Sequence, residues 1–231
     1  MATETAPWHL DELLHAGPEH LDPGYVAAYD AKSPTDWSDD LATLSTLGIG
    51  TMSTVVDFGA GTGAFARAIT PLVARVVAVD VSDAMVESMN GQGLEAVHAG
   101  FLTYEHEGAS PAAVFTRNAL HHLPDFWKAV ALERIARLLQ PGGVLLLRDI
   151  VYSFEPGEAD DAIASWLASA PRDPAHGWTA DQLAEHVREE HSTFTWLLEP
   201  MLERAGFEIR ERWVSPNRAF AAYTCVLEER G

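Results

Sequence analysis

The sequence predicts an α/β protein: a mostly parallel seven-stranded sheet with an antiparallel last strand, helices on both faces, and a helical cap at the N-terminus. Three observations predict it. From Thr54 onward, short apolar runs alternate with amphipathic segments, the pattern of a parallel sheet covered by helices. The first run, "TVVDF", passes directly into glycines at alternate positions and then into a helical pattern. The last two runs are joined only by "SPNR", too short for a crossover, so they must pair antiparallel.

The elements follow in order. Residues 1–50 read as short helices broken at "AGPEHLDPG" and "KSPTDW", a cap over the sheet. Strands are expected at Thr54–Phe58, Arg75–Asp80, Glu95–Ala99, Ala112–Arg117 and Val144–Ile150. Ser82 suits the N-cap of a helix over Asp83–Asn90. A helix over Phe126–Leu139 gathers Ala131, Ile135, Leu138 and Leu139 on one face, and "QPGG" stops it. Residues 151–200, rich in Trp, His, Pro and acids, interrupt the alternation as an insertion. Within it the capping-box pattern "TADQ" opens a helix at Thr179. Strands at Phe207–Val214 and Ala219–Leu227 close the main domain, which spans 51–231.

Composition narrows the function. Lys+Arg 15 against Asp+Glu 34 gives a formal net charge of -19, which repels phosphate backbones and anionic lipid. No nucleic acid and no membrane partner are therefore expected. The single cysteine, Cys225, leaves no internal disulfide or Cys-rich metal site and is expected to pack as a small hydrophobe. No apolar run approaches the roughly 20 residues of a membrane span, and the first residues lack signal-peptide character. The expectation is a cytoplasmic protein, monomer or homodimer.

In open α/β sheets ligands bind at the carboxyl ends of the strands, which is where Gly59, Gly61 and Gly63 fall. A glycine triplet alone is equally a tight turn without a ligand. The second strand, "VVAVDVS", adds Asp80 close to the spacing at which a carboxylate meets a ribose diol, and so points to a nucleoside cofactor. NAD fits poorly. The dinucleotide fingerprint is Gly-x-Gly-x-x-Gly, whereas position 64 here is Ala and the third glycine is Gly63.

Taken together, "VVDFGAGTG", "VVAVDVS", "FTRNALHHLPD" and "LLQPGGVLLLRD" resemble the class I S-adenosylmethionine-dependent methyltransferases, in particular the small-molecule branch that includes the ubiquinone and menaquinone biosynthesis enzymes. The resemblance covers about residues 50–150 and implies a Rossmann-like sheet with S-adenosyl-L-methionine as cofactor. Residues 1–50 and 151–200 lie where that family's substrate selectivity usually resides.

The resemblance implies roles for individual residues. Asp57, Gly59, Ala60 and Gly61 would lie beside the methionine half of the cofactor, with Asp57 reaching its amino group indirectly or through water. Asp80 would take the ribose hydroxyls, and Val81 and Met85 would pack near the adenine. Many relatives carry an acid after the glycine corresponding to Gly100, but here Phe101 stands there. Either its ring stacks on the adenine, or the backbone at Phe101 and Leu102 supplies the hydrogen bonds. Asn118 would touch the methionine portion, and Tyr29, in "AAYDAK", the cofactor carboxylate.

On the acceptor side, His121 would lie near the transferable methyl as general base or positioning donor, with His191 next in line. His122, beside His121, is expected to face the protein at the edge of the substrate pocket, and the competing reading of the pair is a structural turn with one histidine hydrogen-bonded to backbone. Glu190 and Trp196 are further pocket candidates, as is Arg148 for an anionic acceptor group. No Asn/Asp-Pro-Pro-Tyr segment follows the fourth strand. No acid cluster in metal-ligand order follows the fourth and fifth, although Asp149 lies there, so no metal is expected. The reaction expected is direct displacement of the methyl group by a small-molecule acceptor. A non-catalytic protein that binds the same cofactor as a sensor or partner subunit is the alternative.

Overall fold

The structure, a computed structural model, describes residues 7–17 and 35–228. The described residues form eight strands: β1 (Thr54–Phe58), β2 (Arg75–Asp80), β3 (Ala96–His98), β4 (Ala113–Arg117), β5 (Val144–Tyr152), β6 (Thr193–Phe194), β7 (Phe207–Val214) and β8 (Phe220–Leu227). Seven of them form a continuous path in the order β3-β2-β1-β4-β5-β8-β7, and β6 pairs with the end of β5. The pairs from β3 to β5 are parallel, whereas β8 runs antiparallel to both β5 and β7. The expected hairpin is therefore present, closed by the turn at 215–219. β6, only two residues long, carries no period that a sequence could show.

Helices cover both faces. Seven are of α type: α1 (Ser38–Thr46), α2 (Ala64–Ile69), α3 (Asp83–Gly91), α4 (Asp125–Leu138), α5 (Ala159–Ala168), α6 (Ala180–Glu189) and α7 (Thr195–Ala205). Strand alternation sorts the core into two layers. Val56, Phe58, Val77, Val79, Val114, Leu145 and Leu147 face α4 and α7, meeting Ala131, Leu132, Ile135, Leu198 and Leu202. Val55, Ala113, Phe115, Val144 and Leu146 face the other way, toward Phe65 and Ile69 of α2 and Leu44 of α1. Each fully buried leucine or isoleucine contributes about 1.5–3 kcal/mol. Cys225 is enclosed in the first layer, where burial pushes its thiol up to about 12.

The local signals act as their chemistry requires. The Ser82 hydroxyl accepts the Met85 N–H at 3.3 Å and starts α3. Thr179 and Gln182 form the capping box that opens α6. Of the expected N-terminal cap, α1 packs directly on the sheet through Leu44, Leu41 and Trp37. A short 3-10 turn at Glu12–His15 lies instead near the carboxyl ends of the strands. Among the described residues, no helix is long and apolar enough to cross a membrane.

Candidate active site

β1 pairs with β2 on one side and β4 on the other, so the strand order reverses at β1 and a crevice opens beyond its carboxyl end. An open cleft with about 670 Å³ of empty space lies there. Its wall includes Gly59, Gly61, Asp80, Val81, Met85, Gly100, Phe101, Asn118 and His122, all singled out by the sequence. It also includes Glu12, Ala16, Arg117 and Ala119, which the sequence did not mark.

The glycine turn is shaped by two separate constraints. Gly59 has φ +65, and a Cβ there would come within 2.2 Å of the Ala119 Cβ, so glycine lets the β4 exit loop close on the turn. Gly61 has φ +56, and a Cβ there would meet nothing within 4 Å. Its bare backbone borders the cleft. The Gly61 N–H donates to Asp80 Oδ2 at 2.9 Å, while Asp80 Oδ1 accepts the Ser82 N–H at 2.9 Å. Both oxygens are fixed by backbone donors and still have lone pairs available. Burial raises the Asp80 pKa, and the two backbone donors oppose that rise.

Beneath the turn, Asp57 is enclosed, and its Oδ2 has no hydrogen-bond partner among the described residues. Burial, and then the charge of Asp80, raise its pKa well above the ordinary range. A buried carboxylate oxygen lacking a donor suits a ligand that brings an ammonium group. Ala60 contributes backbone, donating its N–H to the Val79 carbonyl at 3.1 Å. At the end of β4, Asn118 adopts φ +50, a conformation uncommon outside glycine, and donates its N–H to the Arg148 carbonyl at 2.8 Å.

Phe101 stacks on Phe58, with centroids 5.1 Å apart and planes 16° apart, so one side of its ring is committed to the core. The Leu102 N–H is taken by Glu12 Oε2 at 3.0 Å. Tyr29 lies outside the described residues.

Beyond Asn118, a 3-10 turn at Leu120–His122 carries two histidines, each paired with a carboxylate. His121 Nδ1 lies 2.5 Å from Asp149 Oδ1, and its N–H donates to Asp149 Oδ2 at 3.0 Å. Burial works to raise the Asp149 pKa, but the His121 ring outweighs it and the carboxyl is held below its ordinary range. His122 Nδ1 lies 2.7 Å from Glu190 Oε2. Burial opposes ionisation of Glu190 too, yet the hydrogen bond and charge of His122 bring it down to about 2. The two imidazoles are 4.3 Å apart, and His186 approaches His121 at 4.9 Å. Burial, and then His121, hold His186 down to about 4. His122 lines the cleft, whereas His121 is 5% exposed and stands behind it. The sequence had His122 facing the protein.

Donor atoms of His121, His122 and Glu190 lie within 4.8 Å of one another, a spacing that a metal ion could bridge. In the structure Nδ1 of each ring is instead engaged by a carboxylate.

Three other expected residues sit apart from the cleft wall. Arg148 donates from Nε to Asp40 Oδ1 at 2.8 Å and from Nη1 to the Tyr223 carbonyl at 2.7 Å, joining α1 to the sheet. Asp149, next on the strand, points to His121, so alternation turns Arg148 to the opposite face. Trp196 is half-exposed and stacks on Phe194. The His191 ring lies 5.4 Å from that of His15. Its backbone is held on both sides, because its N–H donates to the His121 carbonyl at 3.0 Å and its carbonyl accepts from the buried Lys128 Nζ.

A doubly wound sheet with a glycine turn after β1 and a fixed carboxylate after β2 defines an α/β enzyme built around a nucleoside cofactor. A model of the family described as a methyltransferase domain matches residues 29–212. The 27-O-demethylrifamycin SV methyltransferase of Amycolatopsis mediterranei is 29% identical over 198 residues, 78% of this chain and 68% of the relative. An uncharacterized methyltransferase of Bacillus pumilus is 28% identical over 158 residues, 66% of this chain and 68% of its own. Among solved structures, an S-adenosylmethionine-dependent methyltransferase from Clostridium acetobutylicum superposes with a TM-score of 0.67 at 14% identity, covering 89% of this chain and 98% of that one. The chain belongs to the methyltransferase-domain family and is a class I S-adenosylmethionine-dependent methyltransferase. S-adenosylmethionine is its cofactor. The fixed Asp80 carboxylate, the open backbone at Gly61 and the orphaned Asp57 oxygen suit its ribose, its bound chain and its ammonium group.

Proposed function

We propose that the enzyme methylates a small-molecule acceptor carrying a protonated nucleophile, such as a hydroxyl, and that His122 takes the proton. The observation that carries this reading is His122 on the cleft wall with Asn118, its Nδ1 held 2.7 Å from Oε2 of Glu190. When bound, the cofactor supplies a methyl group activated by positive sulfur.

Glu190 holds Nδ1 of His122 and so fixes the orientation of the ring on the cleft wall. Glu190, ionised down to about 2, stabilises the imidazolium that results. The proton then passes to solvent through the open cleft. Behind His122, the His121–Asp149 pair positions the turn, because Asp149 holds both the ring and the backbone of His121. His191 is read as holding the acceptor loop through its backbone, with its ring at the rim.

A net charge of -19 supports a small molecule over nucleic acid as acceptor. The name of the rifamycin relative, an O-methyltransferase of a small molecule, agrees with that class. The test is a screen of hydroxylated small molecules read by S-adenosylhomocysteine release, followed by His122→Ala on the best acceptor. Turnover surviving in that variant at every pH would remove His122 from the reaction.

A further inference from the structure

The buried carboxyl group of Glu12 has no part in methyl transfer as described, yet it forms part of the cofactor cleft. It comes from the 3-10 turn at Glu12–His15, which Asp11 caps by accepting the Leu13 N–H at 3.1 Å. That segment is anchored outside the cleft, where Trp8 stacks on Trp127 of α4 with planes 14° apart and Leu10 packs on the core. Glu12 thus reaches the loop after β3 from ninety positions away.

Its place in the cleft is defined by what surrounds it. Asp80, at the end of β2, faces the sugar of a bound nucleoside, so the base must lie to one side of it. The wall next to Asp80 is Val81 and Met85, then Ala99, Gly100 and Phe101 after β3, a mostly apolar slot suited to a flat ring. Glu12 is in that slot. A Cβ on Gly100 would come within 2.4 Å of the Glu12 carboxyl carbon and both of its oxygens, so glycine at this position admits the carboxylate.

Among the described wall residues, Glu12 and Asp80 are the carboxylates, and the Asp80 oxygens are already oriented by the Gly61 and Ser82 N–H groups. Glu12 Oε2 accepts the Leu102 N–H at 3.0 Å, and the Phe101 backbone and the Thr103 side chain also hydrogen-bond the carboxylate. A carboxylate offers about four lone-pair sites, so three such partners leave room for about one ligand donor. Burial is the largest influence on the group and pushes its pKa up to about 7, while the Leu102 and Phe101 backbone and the Arg134 guanidinium oppose that rise and keep the anion accessible.

We infer that Glu12 is a specificity-determining residue of the cofactor site: its carboxylate accepts a hydrogen bond from the exocyclic amino group of the purine. The N-terminal turn thereby becomes a wall of the base subsite. This goes beyond the acceptor chemistry proposed above and does not depend on it.

The test is calorimetric binding of two ligands: S-adenosylhomocysteine, and its analogue with hydrogen in place of the purine amino group. The full chain is used as wild type, Glu12→Ala and Glu12→Gln. The wild type should favour the amino ligand by about 10- to 100-fold, the worth of one hydrogen bond to a charged group. Glu12→Ala should lose that preference by weakening the amino ligand alone. Glu12→Gln, which keeps a carbonyl acceptor and the side-chain length, should retain part of it.

Equal weakening of both ligands in Glu12→Ala would reduce Glu12 to a structural tie and overturn the inference. Tighter binding of S-adenosylhomocysteine by that variant would also overturn it, since Glu12 would then occupy the base subsite as a plug. An unchanged preference in both variants has the same consequence. Wild type that binds neither ligand would count against the cofactor assignment instead.

Discussion

One oxygen of Asp80 accepts the Gly61 N–H at 2.9 Å, so the end of β2 holds the glycine turn of β1 in shape. The same carboxylate is proposed to take the ribose of the cofactor, and turn geometry and ligand binding would then depend on one side chain. Asp80→Ala should weaken S-adenosylhomocysteine by about 1–3 kcal/mol, the cost of losing a charged hydrogen-bond partner. Calorimetry measures this directly. Unchanged affinity would mean that the ribose lies elsewhere.

Gly59 and Gly61 should separate folding from binding. At Gly59 a methyl group would collide with the Ala119 Cβ, so Gly59→Ala should cost about 1–3 kcal/mol of stability as well as affinity. At Gly61 the added methyl meets no protein atom, leaving only the strain of positive φ, about 1 kcal/mol. Its main effect should be weaker cofactor binding. Urea melts and calorimetry on both variants check the contrast.

His122→Ala should lower turnover by roughly 10²–10⁴-fold with little change in cofactor affinity, the usual contribution of a positioned base. Asp149→Asn should act through the turn and lower stability as well, because it removes a buried charge partner from His121. Turnover should survive EDTA, since the histidine nitrogens nearest the acids are already paired with them. Loss of activity on chelation, restored by a divalent cation, would show that His121, His122 and Glu190 hold a metal.

Stability should depend on pH through Glu12. Burial pushes its pKa up to about 7, so between the unfolded value and 7 the folded protein holds the proton that the unfolded chain releases. Stability is therefore highest below the unfolded value, falls as pH rises through this window, and is lowest above it. The two values limit the change to about 3 kcal/mol. Opening of the N-terminal turn alone makes the observed change smaller. Urea midpoints at pH 5 and pH 8 should differ less in Glu12→Gln than in the wild type. Equal differences in the two proteins would assign the slope to other groups.

Arg148→Ala should be destabilising but neutral for the cofactor. It strands Asp40, which is 7% exposed, without its cation, a loss of about 3–5 kcal/mol for a buried pair. A fall in thermal midpoint with unchanged S-adenosylhomocysteine affinity is the expected result. A weakened acceptor KM without loss of stability would return Arg148 to the acceptor pocket.

The sheet was legible because its central strands β1, β4 and β5 are largely buried on both faces and read as mostly apolar runs. β1 and β2 fall at the residues the sequence marked, and the glycine turn and Asp80 follow from spacing within about thirty positions. What could not be read depends on contacts between distant segments. Asp149 meets His121 across 28 positions and Glu12 meets Leu102 across 90. Neither pairing leaves a local pattern. Arg148 was misplaced because two adjacent polar residues on a buried strand do not reveal which one faces which side. Strand alternation settles that once Asp149 is tied to His121. Ala119 shows the same limit, since its nearness to Gly59 belongs to the crossover from β1 to β4.

The position of β8 between β5 and β7 has a consequence for assembly. β7 precedes β8 in the chain yet cannot join the sheet before it, so either β8 pairs with β5 first or the two dock together as a finished hairpin. Until then, β5 presents "VLLL" along a raw edge, an apolar template onto which any other extended chain could add. The enzyme's most aggregation-prone moment is thus the interval before its terminal hairpin arrives, and substitutions that loosen the 215–219 turn should reduce the yield of soluble protein before they touch catalysis.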